Sequence, residues 1–237
     1  MIKKTITGFN VVGHKVKAIN NNSTKKEVLD AVQQNPYYLL HANESFKKDR
    51  EIILAAVRYD ARALEFIDAT LKKDKEVILA AVTSTNNALE LTDSILKKDR
   101  EFILSAVQRN SKVLEVADKS FTRDKEIILA AIKHNSIALK YADAALQKNK
   151  ELVLEAVENN GLALEFADEV LKKDMEVVIA AIKNYGNSTT HGWVLGVGLS
   201  GRDNPLQFAD KSLKKDKEII KVAIKHTLGQ ALEHLDS

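Results

Sequence analysis

The chain has 237 residues, 45% hydrophobic and 29% charged, with nine glycines and two prolines. That mix excludes a disordered, collagen-like or proline-rich chain. It contains no cysteine, which excludes disulfides, thiolate metal sites and a cysteine nucleophile.

The first segment, 1–23, carries Lys3, Lys4, Lys15 and Lys17 and no acid. Polar residues and glycines interrupt it too often for a signal peptide. Asn10 followed by Val11, Val12, Val16 and Ile19 predicts a short capping helix over 10–20.

From residue 24 one phrase recurs, Lys-Lys-Asp-Lys/Arg-Glu. Its Asp falls at Asp49, Asp74, Asp99 and Asp124, then at Asn149 and Asp174, always 25 residues apart. Thr24 stands one period earlier, and Asp216 one period later after an insertion of 17. A fixed period marks an array. The units are 24–48, 49–73, 74–98, 99–123, 124–148, 149–173, 174–215 and 216–237, so 24–237 is one array of about eight 25-residue repeats.

Each unit repeats one local logic. Asp49 is placed to cap a helix start, and Glu51 adds charge that the first-turn dipole favours. In the first unit Thr24 and Glu27 have capping-box spacing. Ile53, Ala56 and Val57, with Ile52 beside them, form the apolar stripe of that helix. Asn110, Asn135 and Asn160-Gly161 read as left-handed stops about eleven residues on. A second short helix follows, as in Ala63-Leu64-Glu65-Phe66-Ile67. An Asp then recurs (Asp68, Asp93, Asp118, Asp143, Asp168 and Asp210, with Asn43 in the first unit) and is placed to cap a tight turn. Three residues later an apolar anchor follows: Phe46, Leu71, Leu96, Phe121, Leu146, Leu171 or Leu213. No unit can bury its apolar face alone, so neighbours must stack. The expectation is an all-α fold, an α-solenoid with two short helices and a capped turn per repeat.

These residues also carry a resemblance. The run Ala163-Leu-Glu-Phe-Ala-Asp-x-x-Leu-Lys-Lys-Asp-x-Glu176, with Glu151-x-x-x-x-Ala156-x-x-x-Asn160-Gly161, resembles the repeat of domain of unknown function 4116, and the likeness extends over 24–237. Such repeats are known from intracellular bacteria of amoebae, often in proteins delivered into the host cell, and from protists and large viruses. The resemblance implies an effector made in the cytoplasm of the producing cell and acting on a host protein. It supplies no catalytic residues.

Charge separates the remaining function classes. The whole chain nets +3, and the four lysines of 1–23 are unopposed, so the array itself nets −1. Lysine pairs such as Lys72-Lys73 and Lys172-Lys173 are followed at once by Asp and Glu. A phosphate-binding array needs an uncompensated basic stripe, so this ladder reads as a self-neutralising, solvated edge.

The insertion, at about 186–203, holds five of the nine glycines and the one tryptophan. Its Gly196-Val197-Gly198-Leu199-Ser200-Gly201 matches G-x-G-x-x-G, but that motif works only between a strand and a helix, and an α-array surrounds it. Its apolar run, Trp193 to Leu199, is far short of the ~20 residues that span a bilayer. Per-unit insertions in solenoids mark a binding face, which makes His191, Trp193, Val194, Leu195, Leu199 and Arg202 partner-binding candidates. Arg58, Tyr59 and Arg62, departures from the repeat in the second unit, join them because Tyr and Arg dominate interface hot spots. Pro36-Tyr37-Tyr38 and His41 read as a terminal cap. His134 and His226, at equivalent helix ends, complement the dipole, and no metal or cofactor is expected. The reading is a non-enzymatic protein–protein interaction scaffold. The alternatives are a nucleic-acid-binding array and a membrane-surface protein using Trp193, Val194, Leu195 and the basic N-terminus.

Overall fold

The structure is a computed structural model that describes residues 19–84, 88–185 and 205–233, where every regular element is helical. The insertion and most of the predicted 10–20 helix lie outside the described residues. Ile19, the last of that segment's apolar stripe, is buried on irregular backbone.

Two compact units divide the chain, Met1–Asp118 and Lys119–Ser237. The first holds α1 (Lys25–Val32), α2 (Arg50–Tyr59), α3 (Lys75–Ser84) and α4 (Arg100–Val107). The second holds α5 (Lys125–His134), the one-turn α6 (Ala144–Gln147), α7 (Lys150–Asn159), α8 (Met175–Tyr185) and α9 (Lys217–Glu233). Both units are stacks of the same 25-residue layer, the fold of a helical-repeat solenoid.

The predicted caps form. Asp49 accepts from the amides of Glu51 (3.1 Å) and Ile52 (3.4 Å), and Asp74, Asp124, Asp174 and Asp216 do the same for their helices. Thr24 and Glu27 close a capping box. The stripe Ile52, Ile53, Ala56 and Val57 is fully buried, as is its equivalent Leu152, Val153, Ala156 and Val157 to within 1%. Each large aliphatic side chain so buried contributes roughly 1.5–3 kcal/mol.

Two local expectations are corrected. The asparagines are not left-handed stops: Asn110, Asn135 and Asn160 have φ near −155° and extended backbone. Each side-chain oxygen accepts from the amide two residues on, as Asn110 does from Lys112 at 3.1 Å. This local bond competes with another helical turn and starts a new element instead. That element is a tight 3₁₀ helix, not an α-helix, at Pro36–His41, Ala61–Glu65, Ala88–Leu91, Ser111–Glu115, Ser136–Tyr141 and Gly161–Phe166. The other correction falls in the eighth unit. Here α9 runs 17 residues through the register at which other layers turn, and Thr227 stands where they have Asn35, Asp60 or Asn110.

The capped turn that ends each layer forms as read. Asp68, Asp93, Asp168 and Asp210 each accept from the amide two residues on. The anchors Leu96, Phe121 and Leu171 are buried, and Phe46, Leu71, Leu146 and Leu213 half-buried. The same aspartates tie the layers together through their own amides. Within the first unit, Asp68 donates to the Lys47 carbonyl (3.1 Å), Asp93 to Lys72 (3.3 Å) and Asp118 to Lys97 (2.9 Å). Within the second, Asp143 donates to Thr122 (2.9 Å), Asp168 to Gln147 (3.1 Å) and Asp210 to Lys172 (3.0 Å). The last of these bonds reaches across the insertion without loss of register.

Beside this backbone line run two ladders of ion pairs. In the first, Lys25 reaches Asp49 and Glu51, both at 2.8 Å, and Arg50 reaches Asp74 (2.8 Å) and Glu76. Lys75 reaches Asp99 (2.6 Å), Lys125 reaches Glu151 (2.6 Å), and Lys150 reaches Asp174 (2.6 Å) and Glu176 (2.8 Å). In the second, the cations Lys48, Lys73, Arg123, Lys148 and Lys173 lie 3.4–3.9 Å from Asp68, Asp93, Asp143, Asp168 and Asp210. The self-neutralising edge is therefore a set of pairs between layers. The Arg50 and Lys75 partners hold the Asp74 and Asp99 carboxyls below the usual range. Partial burial pushes Asp49 and Asp174 up, but the lysine bonds and helix amides together leave both lowered.

Gly161 marks the closest approach between layers. A methyl group there would lie 2.0 Å from the Ala181 carbonyl oxygen of α8 and 2.9 Å from Cγ of Pro205. Ala61, Ser111 and Ser136 occupy the same register, buried, in other layers. Gly161→Ala is expected to cost ~1–3 kcal/mol through overpacking, whereas Ser136→Ala stays within ~0.5 kcal/mol. Thermal unfolding of both variants checks this, and equal effects would refute it.

The ladder gives a second expectation. Depressed carboxyl values mean stability that is present above about pH 4 and lost as pH falls through the folded-state values. Lys150→Met is expected to lower stability at neutral pH and low salt. Denaturant melts from pH 7 to pH 2 should show that difference closing as Asp174 protonates. A pH-independent difference would assign the effect to packing.

Candidate interaction surface

With Lys48, Lys73 and Lys173, the second members of their pairs, engaged between layers, the surface that distinguishes this chain lies where the repeat is broken. In the first unit, equivalent residues of successive layers sit side by side, so Tyr37 neighbours Arg62, 25 positions later. Asn35 accepts from the Tyr37 amide and Asp60 from the Arg62 amide, and these two bonds set both 3₁₀ helices in the same pose.

The Arg62 guanidinium lies 5.5 Å from the centre of the Tyr37 ring. That ring in turn packs on Phe66 with centroids 5.4 Å apart and planes tilted by 54°. Asp60 grips the same guanidinium, with Nε 2.9 Å from Oδ2, and this bond holds the Asp60 carboxyl below its ordinary value. Asp60, Arg62, Tyr37 and Phe66 thus form one positioned cluster. A cation over an exposed ring adds roughly 0.5–1 kcal/mol.

Of the predicted candidates, the structure places Arg62 inside this cluster. Arg58 and Tyr59 stand exposed in the last turn of α2, with Tyr59 showing 55% of its surface. Tyr38 is buried, while Tyr37 and Leu40 are exposed on the same 3₁₀ helix. The sequence reading missed Phe66 and Leu40 as surface elements. The signal for Phe66 was present: it lies one layer and four residues, 29 in all, from Tyr37. His191, Trp193, Val194, Leu195, Leu199 and Arg202 lie outside the described residues, as does the G-x-G-x-x-G match.

His41 and His134 are exposed, and among the described residues no group of three His, Asp or Glu side chains converges as metal ligands. No helix among them is long and apolar enough to cross a membrane.

The family described as Domain of unknown function (DUF4116) matches at residues 25–72, 49–97, 74–122, 99–147 and 149–191. No curated protein and no solved structure matches the chain. The first four matches each span two layers and advance by one layer at a time, the register of the aspartates and of the bonds between layers. With 25–191 so covered apart from residue 148, the chain belongs to the family described as Domain of unknown function (DUF4116).

Proposed function

We propose that the chain is a non-enzymatic scaffold that binds a protein partner. The observation that carries this reading is the division of its charge. The recurrent lysines and acids are spent on ties between layers, while Arg58, Tyr59 and the Arg62–Tyr37–Phe66 cluster are presented outward on two adjacent layers. Arginine and aromatic side chains on a rigid scaffold are the groups that concentrate binding energy at interfaces.

In this reading the insertion supplies a second contact region, through His191, Trp193, Val194, Leu195, Leu199 and Arg202. The family resemblance adds the finer proposal that the chain is an effector, delivered into a host cell and acting on a host protein.

Quantitative affinity capture from a eukaryotic lysate tests the reading with three proteins: the intact chain, a deletion of 187–203, and the double variant Arg58→Ala, Tyr59→Ala. Capture of a defined protein should fall at least about tenfold in one or both variants, with thermal midpoints expected within about 2 °C of the intact protein. Capture that is equal in all three would overturn the proposed surfaces.

The nucleic-acid alternative is tested by mobility shift at physiological salt. Binding is expected to be weak and to vanish when Lys3, Lys4, Lys15 and Lys17 are replaced by Gln. Tight binding that survives that change would favour the alternative. Retention on anionic vesicles that depends on Trp193 would favour the membrane-surface reading.

A further inference from the structure

The layers of the second unit are not tied equally. At the helix start, the cation of one layer meets the acids of the next through Lys125 and Glu151, then through Lys150 with Asp174 and Glu176. The next cation in that register would be residue 175. It is Met175, an exposed side chain whose thioether cannot pair with Asp216 or Glu218 at the head of α9.

The 3₁₀ helix of the other layers is also replaced here. In other layers a 3₁₀ helix and turn bring an aspartate back to the preceding layer, where its amide meets a backbone carbonyl and its carboxylate a cation, as Asp168 does with Gln147 and Lys148. In the layer of α9 the helix continues to Glu233 instead, and Leu235 stands at the register of Asp168. Ile219 and Ala223 of α9 are buried, while Ile224 leaves 42% of its surface exposed. The helix also contains Gly229, which costs about 1 kcal/mol relative to Ala in a helix interior.

We infer that α9 is a separable layer of the second unit, opening and closing on α8 while the layers of α7 and α8 stay folded, and that the missing cation at position 175 sets how readily it opens. Local opening follows the regions with few ties, and here the cation at the helix start is replaced by Met175 and the 3₁₀ helix by a continuing α-helix. Opening uncovers the aliphatic face of α8, so this layer is a conformational device that changes how much apolar surface the unit offers. The inference is independent of which face binds a partner.

Hydrogen–deuterium exchange on the full chain tests it, followed by mass spectrometry of peptides covering 217–224, 177–182 and 152–157. In the unaltered protein, amides of 217–224 should exchange at least about tenfold faster than those of 177–182. Met175→Lys, which restores the side chain found at Lys125 and Lys150, should slow exchange of 217–224 by about two- to fivefold at low salt, and added salt should erase the gain. Met175→Leu, which keeps the site apolar, should leave exchange unchanged. Equal protection of 217–224 and 177–182 in the unaltered protein would overturn the separable layer. If Met175→Lys slows exchange no more than Met175→Leu does, the role given to position 175 is overturned.

Discussion

The structure depends on a carboxylate used twice. At the head of most repeat helices an aspartate satisfies amides that the first turn leaves unpaired, and at Asp49, Asp74, Asp99 and Asp174 the same group receives a cation from the preceding layer. Asp74 shows both roles at once, accepting from the amides of Glu76 and Val77 while Arg50 pairs with it. A cap fixes where a helix begins, and an ion pair between layers fixes where that beginning sits against its neighbour. Asn149 separates the two roles. It keeps the cap, accepting from Leu152 at 3.0 Å, but carries no charge, and Lys125 turns to Glu151 instead. Layer register therefore rests on polar groups at the helix start, although most of the stabilising energy comes from the small aliphatic core behind them.

This arrangement changes the meaning of the lysine content. Lys47 and Lys172 lay their stems along the layer and place their ammonium groups on Glu44 and Glu169. Lys97 and Lys214 reach backbone carbonyls. Cations held this way are poorly available to release counterions from a polyanion. The same ties explain how 17 extra residues are accommodated. The cost of closing a longer loop rises only with the logarithm of its length, and the bond from Asp210 to the Lys172 carbonyl restores the register on the far side.

Architecture was legible in the sequence because it is written several times over. The period, the caps, the turn aspartates and the anchors each recur, so a chance match at one layer is corrected by the others. The nature of the second helix was not legible. Four to six residues are too few for a 3.6-residue period to differ from a 3.0-residue one, and only the asparagine cap geometry separates them. Gly161 was misread for a related reason. An Asn-Gly pair after a helix suggests a left-handed turn, whereas the need for glycine comes from the Ala181 carbonyl on the next layer. The cluster of Tyr37, Arg62 and Phe66 was half legible: the residue types stood out, but their meeting depends on adding one layer to a step of four residues.

Repetition also constrains where function can lie. A group that recurs in nearly every layer, such as Glu51, Glu76 and Glu126, faces the same local structure each time and cannot by itself define a single site. A site built once must use the departures: Tyr37 and Arg62 in the first two layers, Met175 in the seventh, and the insertion. Tyr37, Arg62 and Met175 fall on exposed positions, where substitution usually shifts stability by less than about 0.5 kcal/mol, while the buried stripe and the capping aspartates carry the fold. The array thus keeps its register through one set of residues and leaves another set free to vary. The Arg62–Tyr37–Phe66 cluster belongs to that second set, because its loss would leave every cap and every tie between the layers of the first unit in place.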